Sequence, residues 1–147
     1  MAASEVSPVD DVPVRATWER LQADQRAVLI DVRTRAEWSF VGVPDLSSLG
    51  RQTLLVEWLS FPDNRVNPEF VRQLEGQLQA IGAERQTELY FICRSGARSR
   101  QAAQAMNAAG YGHCHNVAEG FEGPLDSARH RGTQSGWKAE GLPWLQG

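Results

Sequence analysis

The stretch Glu88-Leu-Tyr-Phe-Ile-Cys-Arg-Ser-Gly-Ala-Arg-Ser-Arg100 decides how the rest of the chain is read. Glu88 to Ile92 is a short apolar run rich in aromatic and β-branched residues, which suits a buried strand. Arg100 to Ala109 is an alanine-rich run of good helix formers closed by Gly110. Cys93 therefore sits where a strand ends, and a loop of small side chains leads from it into a helix N-terminus. Backbone N–H groups and the positive end of a helix dipole can converge there on one anion. The same field favours thiolate over thiol, which makes Cys93 the candidate nucleophile.

Working outward, the composition limits the partners. The chain has 147 residues, 41% hydrophobic and 22% charged, which suits one folded domain over residues 12–147 behind a flexible lead-in, residues 1–11. Its net charge of −3 and the lack of a basic tract argue against nucleic acid. Arg94, Arg98 and Arg100 nevertheless cluster around Cys93, so positive charge is local. No run approaches the roughly 18 apolar residues of a membrane span, and the N-terminus lacks a secretory pattern. Two cysteines are too few for a disulfide framework, and the expected setting is cytoplasmic and reducing.

Elsewhere, strand and helix patterns alternate. A helix is expected over Thr17–Ala23, after a candidate edge strand near Val12–Val14. Arg26–Val32 reads as a strand buried on both faces. Thr34 and Glu37 form a capping box for a short helix. Leu54–Trp58 reads as a strand, and Ser60–Val66 as a loop. A helix follows with Asn67 as cap, Pro68 at its first position and an apolar stripe of Phe70, Val71, Leu74, Leu78 and Ile81. Cys114–Val117 reads as a last strand. Phe121, Leu125, Trp137, Leu142 and Trp144 are expected to anchor a glycine-rich tail. This alternation predicts an α/β domain with a mainly parallel sheet, whose ligands bind beyond the carboxyl ends of the strands.

The loop itself is selective by size. Gly96, with Ser95 and Ala97 beside it, lets the backbone curl around a bound group, and Arg94 and Arg98 supply forked donors. Cys93 to Arg98 is Cys-x4-Arg, one residue shorter than the Cys-x5-Arg cradle of cysteine phosphatases. The tighter ring suits a smaller group, such as the extra sulfur of a persulfide.

Four segments, Leu29–Trp38, Tyr90–Ser99, Asn116–Gly123 and His130–Trp144, together resemble a single-domain rhodanese across nearly all of Trp18 to Trp144. The resemblance implies a rhodanese-like fold, a five-stranded mainly parallel sheet flanked by helices on both faces. It also implies sulfurtransferase activity, moving a sulfane sulfur from a donor such as thiosulfate to cyanide or a thiol. Cys93 matches the persulfide-carrying cysteine of the family. Residues 94–98 match its cradle, and Ser99 completes the set expected to bind substrate and persulfide. A protein acceptor for the persulfide is a further expectation. The chain departs from the family at Val41-Gly-Val-Pro-Asp-Leu-Ser47, where many rhodaneses carry Gly-His-Ile-Pro-Gly-Ala. That departure leaves the pocket wall and the acceptor open. A phosphatase or arsenate reductase on the same fold, and a non-catalytic module that docks a partner, are the alternatives.

Other residues have plainer readings. Asp31 and Arg33, at the end of a strand, are expected to pair with each other's neighbours and hold strand ends together. Trp58 and Trp38 are candidates for the pocket mouth, with core packing as the alternative. Cys114 reads as a small core residue. His113 and His115 supply two potential ligands and no third, so no metal is expected. The chemistry requires no organic cofactor.

Overall fold

A computed structural model describes residues 9–60 and 63–146. The first strand, β1 (Asp10–Val12), leads into helix α1 (Val14–Ala23), and β2 (Val28–Asp31) leads into the short helix α2 (Arg35–Phe40). Three two-residue strands follow, β3 (Val43–Pro44), β4 (Leu54–Leu55) and β5 (Leu59–Ser60), with a 3-10 turn at Ser47–Leu49 between the first two. Next come β6 (Arg65–Val66), helix α3 (Phe70–Ala80), β7 (Leu89–Ile92), helix α4 (Ala97–Ala108), β8 (Cys114–Val117) and β9 (Trp144–Leu145).

The main sheet has five strands in the order β1-β8-β7-β2-β4, and every pairing in it is parallel. β2 and β7 are buried along their whole length, as their continuous apolar runs require. Alternate side chains face two separate cores. On one face Ile30, Phe91 and Cys93 meet Phe70, Leu74 and Leu78 of α3 and Ala102, Ala103 and Met106 of α4. On the other, Leu29, Tyr90 and Ile92 meet Leu21 of α1 and Phe121, Trp137 and Leu142 of the C-terminal segment. Each large side chain buried this way contributes about 1.5–3 kcal/mol. The expected fold class therefore holds, with helices on both faces.

Several boundaries differ from the expectation. β1 begins at Asp10, so Asp10 and Asp11 belong to the sheet; residues 1–8 of the expected lead-in lie outside the described residues. α1 starts directly after Pro13, whose carbonyl accepts from both the amide and the hydroxyl of Thr17. The strand expected over Leu54–Trp58 closes its ladder after two residues. Beyond them, the Val56 and Trp58 amides still donate to the carbonyls of Asp31 and Val32. The loop expected over Ser60–Val66 contains a small antiparallel ribbon, β5–β6. α3 begins at Phe70, three residues after Asn67, whose Oδ1 accepts from the Glu69 amide in the preceding turn. Ile81 lies past the helix end and is exposed, so the stripe stops at Leu78. In the tail, Phe121, Trp137 and Leu142 are buried anchors, whereas Leu125 and Trp144 are substantially exposed.

Candidate active site

α4 begins at Ala97, three residues earlier than its alanine-rich composition predicts. Gly96 makes this possible: its φ of 113° turns the chain sharply into the helix, a conformation other residues seldom adopt. Ala97, Arg98 and Ser99 thus form the first helical turn, where amides have no acceptor within the helix.

Two of the amides at this turn point at the cysteine sulfur. Cys93 Sγ accepts from the Gly96 amide at 3.1 Å, the Ser99 amide at 3.3 Å and the Ser99 hydroxyl at 3.2 Å. Cys93 is 1% exposed, at the floor of a loop in which Arg94, Ser95 and Ala97 are exposed. From below, the segment after β8 fixes the backbone. The Cys93 carbonyl accepts from the Phe121 amide, and the Arg94 carbonyl accepts from the amides of Glu122 and Gly123. Gly120 passes so close that a Cβ there would run into both carbonyl oxygens.

The arginines are arranged differently from the expectation. Arg98 does not offer its fork to the loop interior; it grips the Glu37 carboxylate of α2 with bonds of 2.7 and 2.9 Å. Burial opposes ionisation of Glu37, but the Arg98 fork and the Thr34 amide override it and hold the carboxyl at about 2, against an ordinary 4.5. Arg98 in turn is raised, first by the Glu37 bonds and against burial, with smaller contributions from charge on Cys93 and Asp31. Arg100 pairs with Asp11 of β1. Arg94 stands exposed. The donors on the sulfur are therefore backbone amides and a hydroxyl, while two of the three guanidiniums are matched by carboxylates.

The capping box of Thr34 and Glu37 is present as read, yet Glu37 also carries the ion pair to α4, which no local pattern reveals. Asn116 was legible only as part of a motif. It is buried in β8, and its side chain bridges Ser99 and Asp11.

Asp31 and Arg33 pair with each other rather than with neighbours. Both side chains are fully buried, with 2.6 Å between Arg33 Nη2 and Asp31 Oδ2. Arg33 also donates to the Gly42 carbonyl and lies 4.3 Å over the Phe121 ring. The pair thus ties β2 to the start of β3 and to the segment that holds the Cys93 loop. Trp58 is packed into the core, edge-on to Phe70 at 5.1 Å, and its indole donates to Gln101 of α4. Trp38, not Trp58, lines a cleft of about 460 Å³ with Arg35, Glu57 and Gln73. A larger cleft of about 820 Å³, lined by Arg26, Arg51 and Glu84 among others, lies at the opposite end of the sheet from Cys93. The donors that converge on Sγ lie at Cys93, away from that larger cavity.

Cys114 is buried, and its thiol donates to the Tyr111 carbonyl. Burial, with a smaller push from the charge of Glu88, raises it to about 12. It faces Leu89 at the start of β7, about 13 Å of strand away from Cys93. His113 and His115 both contact Glu88, and His115 also contacts Asp10.

A family model described as the STR4 middle domain matches residues 10–147. The crystal structure of Rv0390 from M. tuberculosis is 47% identical, with a TM-score of 0.85 over 96% of this chain and 100% of that one. The protein named Uncharacterized protein RP600 homolog, from Rickettsia rickettsii, is 33% identical over 136 residues, 92% of this chain and 97% of its own length. The Rhodanese-like Domain Protein from Staphylococcus aureus is 14% identical and shares the fold, with a TM-score of 0.55 over 95% of this chain and 99% of that chain. The architecture is thus rhodanese-like, and the chain belongs to the STR4 middle domain family.

Proposed function

We propose that this protein is a sulfurtransferase of the thiosulfate type, a single-domain rhodanese that carries a sulfane sulfur as a Cys93 persulfide. The observation that carries this reading is the convergence of three donors on Cys93 Sγ at the floor of a six-residue loop that leads into a helix. In the first step the Cys93 thiolate attacks the outer sulfur of the donor. The new Sγ–S bond forms as the donor's S–S bond breaks, and sulfite leaves with the electron pair when the donor is thiosulfate. The negative charge then rests on the outer sulfur. The amides of Ala97 and Arg98, which have no acceptor within α4, are the groups suited to hold it. In the second step an acceptor nucleophile, cyanide or a thiol, takes the outer sulfur and returns the electron pair to Sγ. A thiol on a partner protein would serve equally well. The two half-reactions proceed by a ping-pong scheme.

Neither step draws on a metal or an organic cofactor. Among the described residues no helix is long and apolar enough to cross a membrane, and the chemistry suits a reducing compartment. The charge of Arg98 is already matched by Glu37, and the loop is short. Both features favour a sulfur atom over a tetrahedral phosphoryl or arsenate group. The decisive experiment is intact mass after incubation with thiosulfate. One added sulfur atom is expected in the native chain and none in Cys93→Ala. Turnover of an aryl phosphate without sulfur loading would instead select the phosphatase alternative.

A further inference from the structure

Ser99 has one hydroxyl proton and three acceptors within reach. These are Cys93 Sγ at 3.2 Å, the Gly96 carbonyl at 3.2 Å and Asn116 Oδ1 at 2.5 Å. The orientation of Asn116 is dictated from its far side. Its Nδ2 donates to Asp11 Oδ1 at 2.9 Å, and an ionised carboxylate can only accept, so Oδ1 is the atom turned towards Ser99. Asp11 is kept ionised: the Asn116 bond outweighs burial, and paired Arg100 reinforces it, holding the carboxyl below its ordinary value. Ser99 is fully buried and Asn116 is 3% exposed, so water does not offer either a substitute partner.

We infer that Asn116, oriented by Asp11, is a positioning residue that accepts the Ser99 hydroxyl's hydrogen bond when Cys93 Sγ is uncharged and gives it up when Sγ is a thiolate. The inference rests on Cys93 being the nucleophile, not on sulfur being the group it transfers. In the thiol form the Cys93 S–H donates to Ser99 Oγ, and the Ser99 O–H donates to Asn116. When the thiol proton leaves to solvent, the Ser99 O–H rotates onto Sγ and becomes the third donor to the thiolate. Loading a sulfur moves the negative charge one bond outward, leaving Sγ neutral, and the hydroxyl returns to Asn116. The outer sulfur is then left to the backbone amides. Stabilisation thus follows the charge through the cycle by rotation of one hydroxyl. The other charges around Sγ keep fixed partners throughout. Arg98 is held by Glu37 of α2, Arg33 by Asp31 of β2, and Arg100 by Asp11 of β1, while Arg94 is exposed.

The test is the pH dependence of alkylation of Cys93 by iodoacetamide in the full chain, located by peptide mass. Asn116→Leu keeps the shape but removes the nearest competing acceptor, leaving the Ser99 proton to the sulfur and to the Gly96 carbonyl, which is no closer than the sulfur. The midpoint of its pH–rate profile is expected to move down by about one unit, the weight of one hydrogen bond to a charged group. Asp11→Asn, at an exposed position, lets the Asn116 amide turn either way. It is expected to shift the midpoint in the same direction by less, and to keep that shift in 1 M KCl, where plain charge effects are screened beyond about 3 Å. A lower melting temperature with an unmoved midpoint in both variants, or an upward shift, would overturn the inference. Should Asn116→Leu not fold, Asp11→Asn decides alone. A shifted midpoint in a chain that takes up no sulfur from thiosulfate leaves this inference standing and removes the sulfurtransferase reading.

Discussion

Replacing Glu37 by glutamine separates the ion pair that locks α2 to the first turn of α4. Glutamine keeps the size of the side chain and can still cap through one oxygen, so the loss is the charge and, with it, one of the two Arg98 bonds, whose acceptor becomes an amide nitrogen. The carboxyl is held at about 2 against an ordinary 4.5, which corresponds to about 3 kcal/mol if fully realised. Both side chains are 20% exposed, and solvent screening reduces this to about 2 kcal/mol. For a chain of this length that amounts to a melting temperature lower by roughly 4–8 °C near neutral pH. The sign with pH follows from the depressed carboxyl. Its contribution is fully present above the unfolded value near 4.5 and is lost as pH falls towards 2. By pH 3 less than half of it remains, on the two-state linkage relation. The assay is denaturant unfolding of the native chain and Glu37→Gln at steps from neutral pH down to about 3. The two stability curves should run apart above about pH 5 and converge below it. A gap that stays constant across the range would refute the argument, since the difference would then come from packing rather than from the charge on Glu37.

Other expectations follow from the same geometry. Gly120→Ala places a methyl against the Cys93 and Arg94 carbonyls. It should slow alkylation of Cys93 by about tenfold or more, the effect expected when backbone donors are misplaced, as measured under native conditions. Asp31→Asn leaves the Arg33 guanidinium buried without its counter-charge and should cost about 3–5 kcal/mol in unfolding free energy. Cys114 should resist iodoacetamide at pH 8, where Cys93 is modified, because its thiol lies near 12; Cys114→Ala should still load one sulfur, measured by intact mass.

The features legible in the sequence were those carried by neighbours in the chain. The apolar runs of β2 and β7 announced buried parallel strands, and the small residues after Cys93 announced a cradle. The helix after that cradle begins three residues earlier than its composition indicates. Composition marks Arg100–Ala109, whereas the backbone turn at Gly96 admits Ala97 to the first turn. Leu54–Trp58 looked like a full strand because its apolar content is high. At the edge of the sheet, however, only Leu54 and Leu55 keep the ladder register with β2. Partnerships across the sheet left no local trace. Arg98 finds Glu37 from 61 positions away, and Asn116 reaches Asp11 only because β8 lies between β7 and β1. Knowing the sheet order in advance would have placed Asp11, Asn116 and the end of β7 side by side. Nothing in the sequence pattern supplies that order.

The clamp of residues 120–123 on the carbonyls of Cys93 and Arg94 also sets a timetable for the nascent chain. The ribosome makes Cys93 before the segment that fixes its loop, and before β8, the strand on which the N-terminal β1 must wait for a partner. Until Gly120 to Gly123 emerge, the thiol is tethered to an unbraced turn, and α4 has no anchored start. Reactivity should therefore arise abruptly and late in synthesis. A translation-arrested chain ending shortly after α4 would carry Cys93 without the brace that shapes its loop.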